Sequence, residues 1–321
     1  LSGAEQAITA DGLRKAYGGR PALRELSFGA ARGEVLALLG PNGAGKTTAL
    51  RILSTELRPD AGTALIGGLT LGAQNRAIRG RIGTVFQTGA LDGALTVEEN
   101  LSVRGALYGL RGERLRERLL TVSRLTQLEP LLGSFYGRLS GGQRRRCDIA
   151  RALLPDPAVL FLDEPATGLD PAMQLAVREA VEGLRAERRV TVVMSTHNLD
   201  EAEQADRVLI LRGGALLASG TPSELRRRFA QDSLVLYSRS FERLKQKLDA
   251  CGAAYRPTGD GARISLRGTL GALPLLTLCR GTYDAFEVRR GTLEQAYLTA
   301  LEGDGRNADT GASQHSSVFP R

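Results

Sequence analysis

Hydrophobic positions along the chain fall into two patterns, short apolar runs and longer stretches with helical spacing. Residues 34–39, 81–86, 158–162 and 189–195 are apolar runs whose length suits strands buried on both faces. Residues 7–14 and 23–30 alternate more loosely and predict two antiparallel strands of a small side sheet, and 63–66 a further strand. Residues 208–211 and 215–218 flank Gly213-Gly214 and predict a hairpin. Helices are predicted from residue 48, from Thr96, over 111–128, from Ser140 to 154, from Pro171, over 200–205 and from Thr221 to 228. Thr96 is a good cap, with Glu98 and Glu99 in the first turn behind it. Strands alternating with helices point to an α/β domain around a mostly parallel sheet.

The pattern changes after residue 228. Strands at 233–238, 253–256, 263–266 and 286–289, with helices at 241–251 and 270–280, give the order βαββαβ of a ferredoxin-like split unit. A last helix is expected over 293–301, and the polar residues 303–321 as a disordered tail. The expected organisation is a nucleotide-binding domain over 1–228, with a helical insertion at about 88–154, and a small α+β accessory domain over 229–302.

One stretch carries chemistry by its spacing alone. Gly40-Pro41-Asn42-Gly43-Ala44-Gly45-Lys46-Thr47-Thr48 fits G-x-x-x-x-G-K-[ST] and lies between a predicted strand and a predicted helix. Glycines let backbone N–H groups turn inward onto phosphate oxygens, and the helix start adds partial positive charge. Lys46 would reach the β- and γ-phosphates and Thr47 would offer a hydroxyl to Mg²⁺. The helix start at Ser140-Gly141-Gly142-Gln143 is a second anion site of small residues, bare N–H groups and a hydroxyl. Asp163-Glu164 closes an apolar strand, where open α/β sheets bind ligands. Tyr17, in a glycine-rich turn, lies near enough in the order to stack on a base or simply to pack.

Composition narrows the picture. Of 321 residues 42% are hydrophobic, so a buried core is expected, and no apolar run nears the roughly 20 residues of a membrane span. No basic-then-apolar leader opens the chain, and a cytoplasmic location is expected; the first residue, Leu1 rather than Met, points to a trimmed or misassigned start. Cys147, Cys251 and Cys279 lack metal-ligand spacing and read as free thiols. Only two histidines occur, His197 and His315, which rules out a His-rich metal site. The net charge of +8 comes mostly from arginine, without the basic run and interleaved aromatics of a nucleic-acid groove.

Taken in order, the phosphate loop, Gln87 at a strand end, Leu139-Ser140-Gly141-Gly142-Gln143, Asp163-Glu164 and His197 resemble the nucleotide-binding subunit of ABC transporters, over roughly residues 5–228. The resemblance implies a P-loop NTPase domain of the ABC type, binding ATP and Mg²⁺, with an antiparallel side sheet and a helical insertion. It implies that Tyr17 stacks on adenine, that Asp163 holds Mg²⁺ through water, and that Glu164 orients and deprotonates the attacking water. Gln87 becomes the residue that senses the γ-phosphate beside the metal and touches the membrane subunit; His197 contacts the γ-phosphate; Asp170 crosses to a second protomer. Ser140, Gly142 and Gln143 complete the ATP site of that second copy, in a head-to-tail dimer closed by ATP.

The stretches 84–87, 90–92, 95–101, 139–146 and 195–203, with Leu293-Glu294-Gln295-Ala296-Tyr297-Leu298, are similar to the daunorubicin-resistance type of drug exporter ATPase. Cys147 and Ala166 depart from the usual aliphatic residue and the usual Thr or Ser. The expected function is hydrolysis of ATP to power export, of a drug or antibiotic, through a separate membrane permease, from the cytoplasmic face of the membrane and without nucleic acid as partner. The alternative is a soluble ABC ATPase acting on nucleic acid or ribosomes. The basic pI of about 9.8 favours it; one nucleotide site per chain and the lack of long coiled coils oppose it.

Overall fold

The computed structural model describes residues 5–86, 91–167, 169, 171–266 and 268–307, so that Gln87 and Asp170, two of the expected site residues, lie outside them. Two compact units divide between Ser219 and Gly220. The expected boundary at 228 falls one helix later, because the helix between these points packs on the last helix of the chain and belongs to the second unit.

The first unit runs β1 (Gln6–Tyr17), β2 (Arg20–Ala31), β3 (Val35–Leu39), α1 (Lys46–Leu53), β4 (Ala61–Ile66), β5 (Leu69–Thr70), α2 (Asn75–Arg79), β6 (Ile82–Val85), α3 (Val97–Leu107), α4 (Gly112–Leu125), α5 (Gly141–Leu153), β7 (Val159–Asp163), α6 (Pro171–Arg188), β8 (Thr191–Thr196), α7 (Leu199–Glu203), β9 (Arg207–Arg212) and β10 (Ala215–Gly220). The predicted side sheet exists and is larger than two strands: its order is β2-β1-β4-β5, with β1 antiparallel to both neighbours. The main sheet has the order β10-β9-β3-β8-β7-β6, and β3, β6, β7, β8 and β9 run parallel. Strands β3, β7 and β8 are buried at every position, as apolar runs without alternation require.

Helix α1 is wedged between the sheets. Its Leu50, Ile52 and Leu53 share one core with Leu36, Leu38, Phe161 and Val193 of the main sheet and with Ile8, Leu13, Leu26 and Ile66 of the side sheet. That burial fixes the start of α1, and hence the glycine loop, against the ends of β3, β7 and β8. Register does the rest: Leu39 pairs with Thr196 and Asp163 with Ser195, so these strands end level.

In the helical insertion, Thr96 forms a capping box with Glu99. Asn100, buried, ties the loop before it: its Nδ2 donates to Asp92 O at 2.9 Å and its Oδ1 accepts from Asp92 N at 2.8 Å. Cys147 on α5 is buried, and burial with Asp148 nearby pushes its thiol up to about 12, so it behaves as a small hydrophobe in the place of an aliphatic residue.

The second unit runs α8 (Pro222–Phe229), β11 (Asp232–Tyr237), α9 (Phe241–Ala250), β12 (Tyr255–Thr258), β13 (Gly261–Leu266), α10 (Ala272–Leu278), β14 (Ala285–Arg289) and α11 (Leu293–Asn307). Its antiparallel sheet has the order β12-β13-β11-β14, which the split βαββαβ motif requires. Leu234, Leu236, Ile264 and Leu266 on one face pack against Leu244 and Leu248 of α9 and Ala272 of α10. Helix α11 continues through Asn307, into the segment expected to be tail. All three cysteines are free, and among the described residues no helix is long and apolar enough to cross a membrane.

Candidate active site

The site grows from the turn between β3 and α1. Gly45 is the cap of α1 with φ 100°, a left-handed conformation that suits glycine, and a Cβ there would lie 2.5 Å from Ala22 O. Lys46, first residue of the helix, points back into the loop. Its Nζ donates to Gly40 O at 2.6 Å and Pro41 O at 3.1 Å and lies 3.9 Å from Glu164 Oε1. Its side chain is only 4% exposed, and burial pulls its pKa below the usual lysine value against the opposing pull of Glu164 and Asp163.

Asp163, the last residue of β7, faces the same loop. Its Oδ1 accepts from Thr47 Oγ1 at 3.1 Å and from Ser195 Oγ at 2.5 Å. A hydroxyl and a carboxylate so placed form an oxygen donor set that suits a hard divalent cation, with phosphate and water completing it. These two residues therefore fit Mg²⁺.

Glu164 follows in a left-handed conformation, φ 48°, which costs a non-glycine residue on the order of 1–3 kcal/mol. Its N–H donates to Ser195 O at 3.2 Å and Ser195 Oγ at 3.0 Å, which hold the turn. The bend aims the carboxylate at the loop: Oε1 faces Lys46 and lies 3.4 Å from His197 Nδ1, and Oε2 accepts from Thr167 Oγ1 at 3.1 Å. His197 stands just past β8 with half of its side chain exposed. Tyr17 ends β1 opposite Arg20, also half exposed.

Lys46, Thr47, Asp163, Glu164 and His197 thus meet at the ends of three parallel strands. Ser140, Gly142 and Gln143 form a separate feature at the start of α5, where Ser140 Oγ accepts from Gln143 N at 3.3 Å and Gln143 Oε1 accepts from Ser140 N at 2.9 Å, a complete capping box. Sequence reasoning assigned no role to Ser195, Thr167, Arg145 or Glu201, all of which hold or surround the carboxylates. Ser195 carried a signal, a hydroxyl at the end of a buried strand two residues before His197.

The arrangement can neutralise phosphate charge from one side and place a carboxylate base and an imidazole on the other, the needs of phosphoryl transfer to water. Comparison with known proteins agrees. The family model described as ABC transporter matches residues 23–167, and one described as AAA domain, putative AbiEii toxin, Type IV TA system matches 136–201. The daunorubicin resistance ATP-binding protein DrrA3 of Streptomyces coeruleorubidus is 42% identical over 232 residues, 72% of this chain and 73% of the relative. The doxorubicin resistance ATP-binding protein DrrA of Mycobacterium tuberculosis (strain CDC 1551 / Oshkosh) is 35% identical over 309 residues, covering 92% of this chain and 93% of the relative. Among solved structures, the dimeric post-hydrolysis state of the ATP-binding cassette MJ0796 bound to ADP and Pi superposes with a TM-score of 0.62 at 28% identity, over 67% of this chain and 98% of that one.

Proposed function

The chain belongs to the ABC transporter family of ATP-binding proteins, and on that premise we propose that it is the ATP-hydrolysing subunit of a drug exporter, working at the cytoplasmic face of the membrane through a separate permease. The observation that carries the chemistry is the meeting of Glu164 with Lys46 at 3.9 Å and His197 at 3.4 Å beside the Thr47–Asp163 pair. The drug-resistance relatives support the cargo class, and they lend nothing to the alternative of nucleic acid or ribosomes.

In this proposal the backbone of residues 40–48 cradles the phosphates of ATP, Lys46 neutralises the β- and γ-phosphates, and Tyr17 stacks on adenine. Thr47 directly, and Asp163 through water, would hold Mg²⁺, which supplies charge neutralisation at the transferring phosphoryl group when bound. Glu164 Oε1 orients water and takes its proton, and His197 contacts the γ-phosphate beside it. Gln87 and Asp170 keep the roles their motif positions imply, at the γ-phosphate beside the metal and at the partner protomer. Ser140, Gly142 and Gln143 of a second copy close the site from the other side.

Glu164→Gln keeps the shape of the side chain and removes its basicity. ATP turnover should fall roughly 10²- to 10⁴-fold with ATP binding preserved. Near-normal turnover in a steady-state phosphate-release assay overturns the assignment of the base.

A further inference from the structure

Helix α5 begins with three arginines after its capping box, and the middle one does something its neighbours do not. Arg145 is turned inward, and its one guanidinium donates to three backbone carbonyls: Nη2 to Asp163 O at 2.7 Å, Nε to Pro165 O at 3.0 Å and Nη1 to Phe86 O at 2.7 Å. The first two carbonyls flank Glu164, so the left-handed residue that carries the carboxylate is held from both sides by one planar group. The third belongs to the residue just before position 87. Arg144 and Arg146, by contrast, donate to Gly137 O and Gln127 O, both within the helical insertion.

A half-buried guanidinium is an expensive anchor, since desolvating even part of it costs more than apolar packing would. Burial lowers the Arg145 pKa, while Asp148, Asp163 and Glu201 around it favour the charged form. The planar fork matches three carbonyls at fixed angles, which the point charge of a lysine ammonium does not.

We propose that Arg145 is a positioning residue for ATP hydrolysis, stapling the start of α5 to the Glu164 turn and to the end of β6, so that displacement of the signature helix moves the catalytic carboxylate and the segment entering position 87 together. The proposal rests on Glu164 being the base. It gives the signature of one protomer, facing the partner's nucleotide, a direct hydrogen-bonded path to that protomer's own catalytic turn, with a single side chain as the joint.

The test compares Arg145→Lys and Arg145→Gln with Arg151→Lys in the full chain, reading kcat and KM for Mg·ATP together with Tm. Arg151 lies further along the same helix and makes one comparable bond, Nη2 to Thr84 O at 2.7 Å, so it reports what loss of an ordinary helix-to-strand anchor does. Both Arg145 variants should lose roughly 10- to 100-fold in kcat, with KM kept within about threefold. Arg151→Lys should keep kcat at a similar Tm. Wild-type kcat in the folded Arg145 variants, or a loss in all three variants that simply follows Tm, overturns the proposal. Glu164→Gln is measured alongside: if it turns over normally the catalytic reading itself has failed, whereas an inactive Glu164→Gln with active Arg145 variants removes only the staple.

Discussion

Glu201 is a side chain beside Glu164 whose ionised form works against stability. Burial raises its carboxyl pKa, and Glu164 nearby raises it further, while a hydrogen bond from Thr196 and the charges of His197 and Arg145 pull the other way. Its Oε2 is buried without a hydrogen-bond partner among the described residues. A carboxyl whose folded pKa is raised stabilises the fold fully below its unfolded pKa and loses that contribution as pH rises through the folded value. Glu201→Gln mimics the neutral form. Its Tm should therefore exceed that of wild type at pH 7.5 and match it at pH 4, by differential scanning fluorimetry; an equal difference at both pH values contradicts the sign. The residues with legible roles, Lys46, Thr47, Asp163, Glu164 and His197, sit in contiguous motifs or at strand ends, where sequence order predicts space. Glu201 and Arg145 were illegible because Glu164 and the strand-end carbonyls reach them only through tertiary packing, and Thr167 because its bond to Glu164, three residues away, depends on the left-handed turn at Glu164.

Helix α5 is the element on which most depends. It carries the capping box, the Arg145 staple and a packed contact with β6, all within residues 140–153. Gly83 on β6 is where strand and helix touch: a Cβ there would run into Ala152 O and lie 2.9 Å from Leu160 Cδ1. Gly83→Ala must push α5 off the sheet, and denaturant unfolding should show a loss of about 1–3 kcal/mol; unchanged stability means that the helix yields freely. The long periodic elements were predictable because burial imposes a period on them. Strand β5 and helix α2, at 2 and 5 residues, are too short to show a period and went unpredicted. The boundary between the units was misplaced by α8 for another reason. Its capping box and Pro222 mark where a helix begins, but not that the helix packs on α11.

At the scale of the molecule, the basic composition looks different once the arginines are followed to their partners. Arg145 and Arg151 hold strand carbonyls, Arg118 holds Leu153 O and Leu154 O, and Arg207 pairs with Glu34 at 2.7 Å, so part of the excess charge is internal scaffolding rather than a nucleic-acid surface. On the proposed head-to-tail reading, the chain carries half of two sites, a phosphate loop with its carboxylates and a signature for another copy's loop. Mixed dimers test this most directly. Lys46→Ala disables the loop of one protomer. Ser140→Asp keeps a good helix cap in the other but turns a carboxylate toward the phosphates it should bind. A purified dimer of one Lys46→Ala chain and one Ser140→Asp chain retains a single intact composite site, and ATP turnover clearly above either parent homodimer is the predicted result; turnover no higher than the parents contradicts the head-to-tail arrangement.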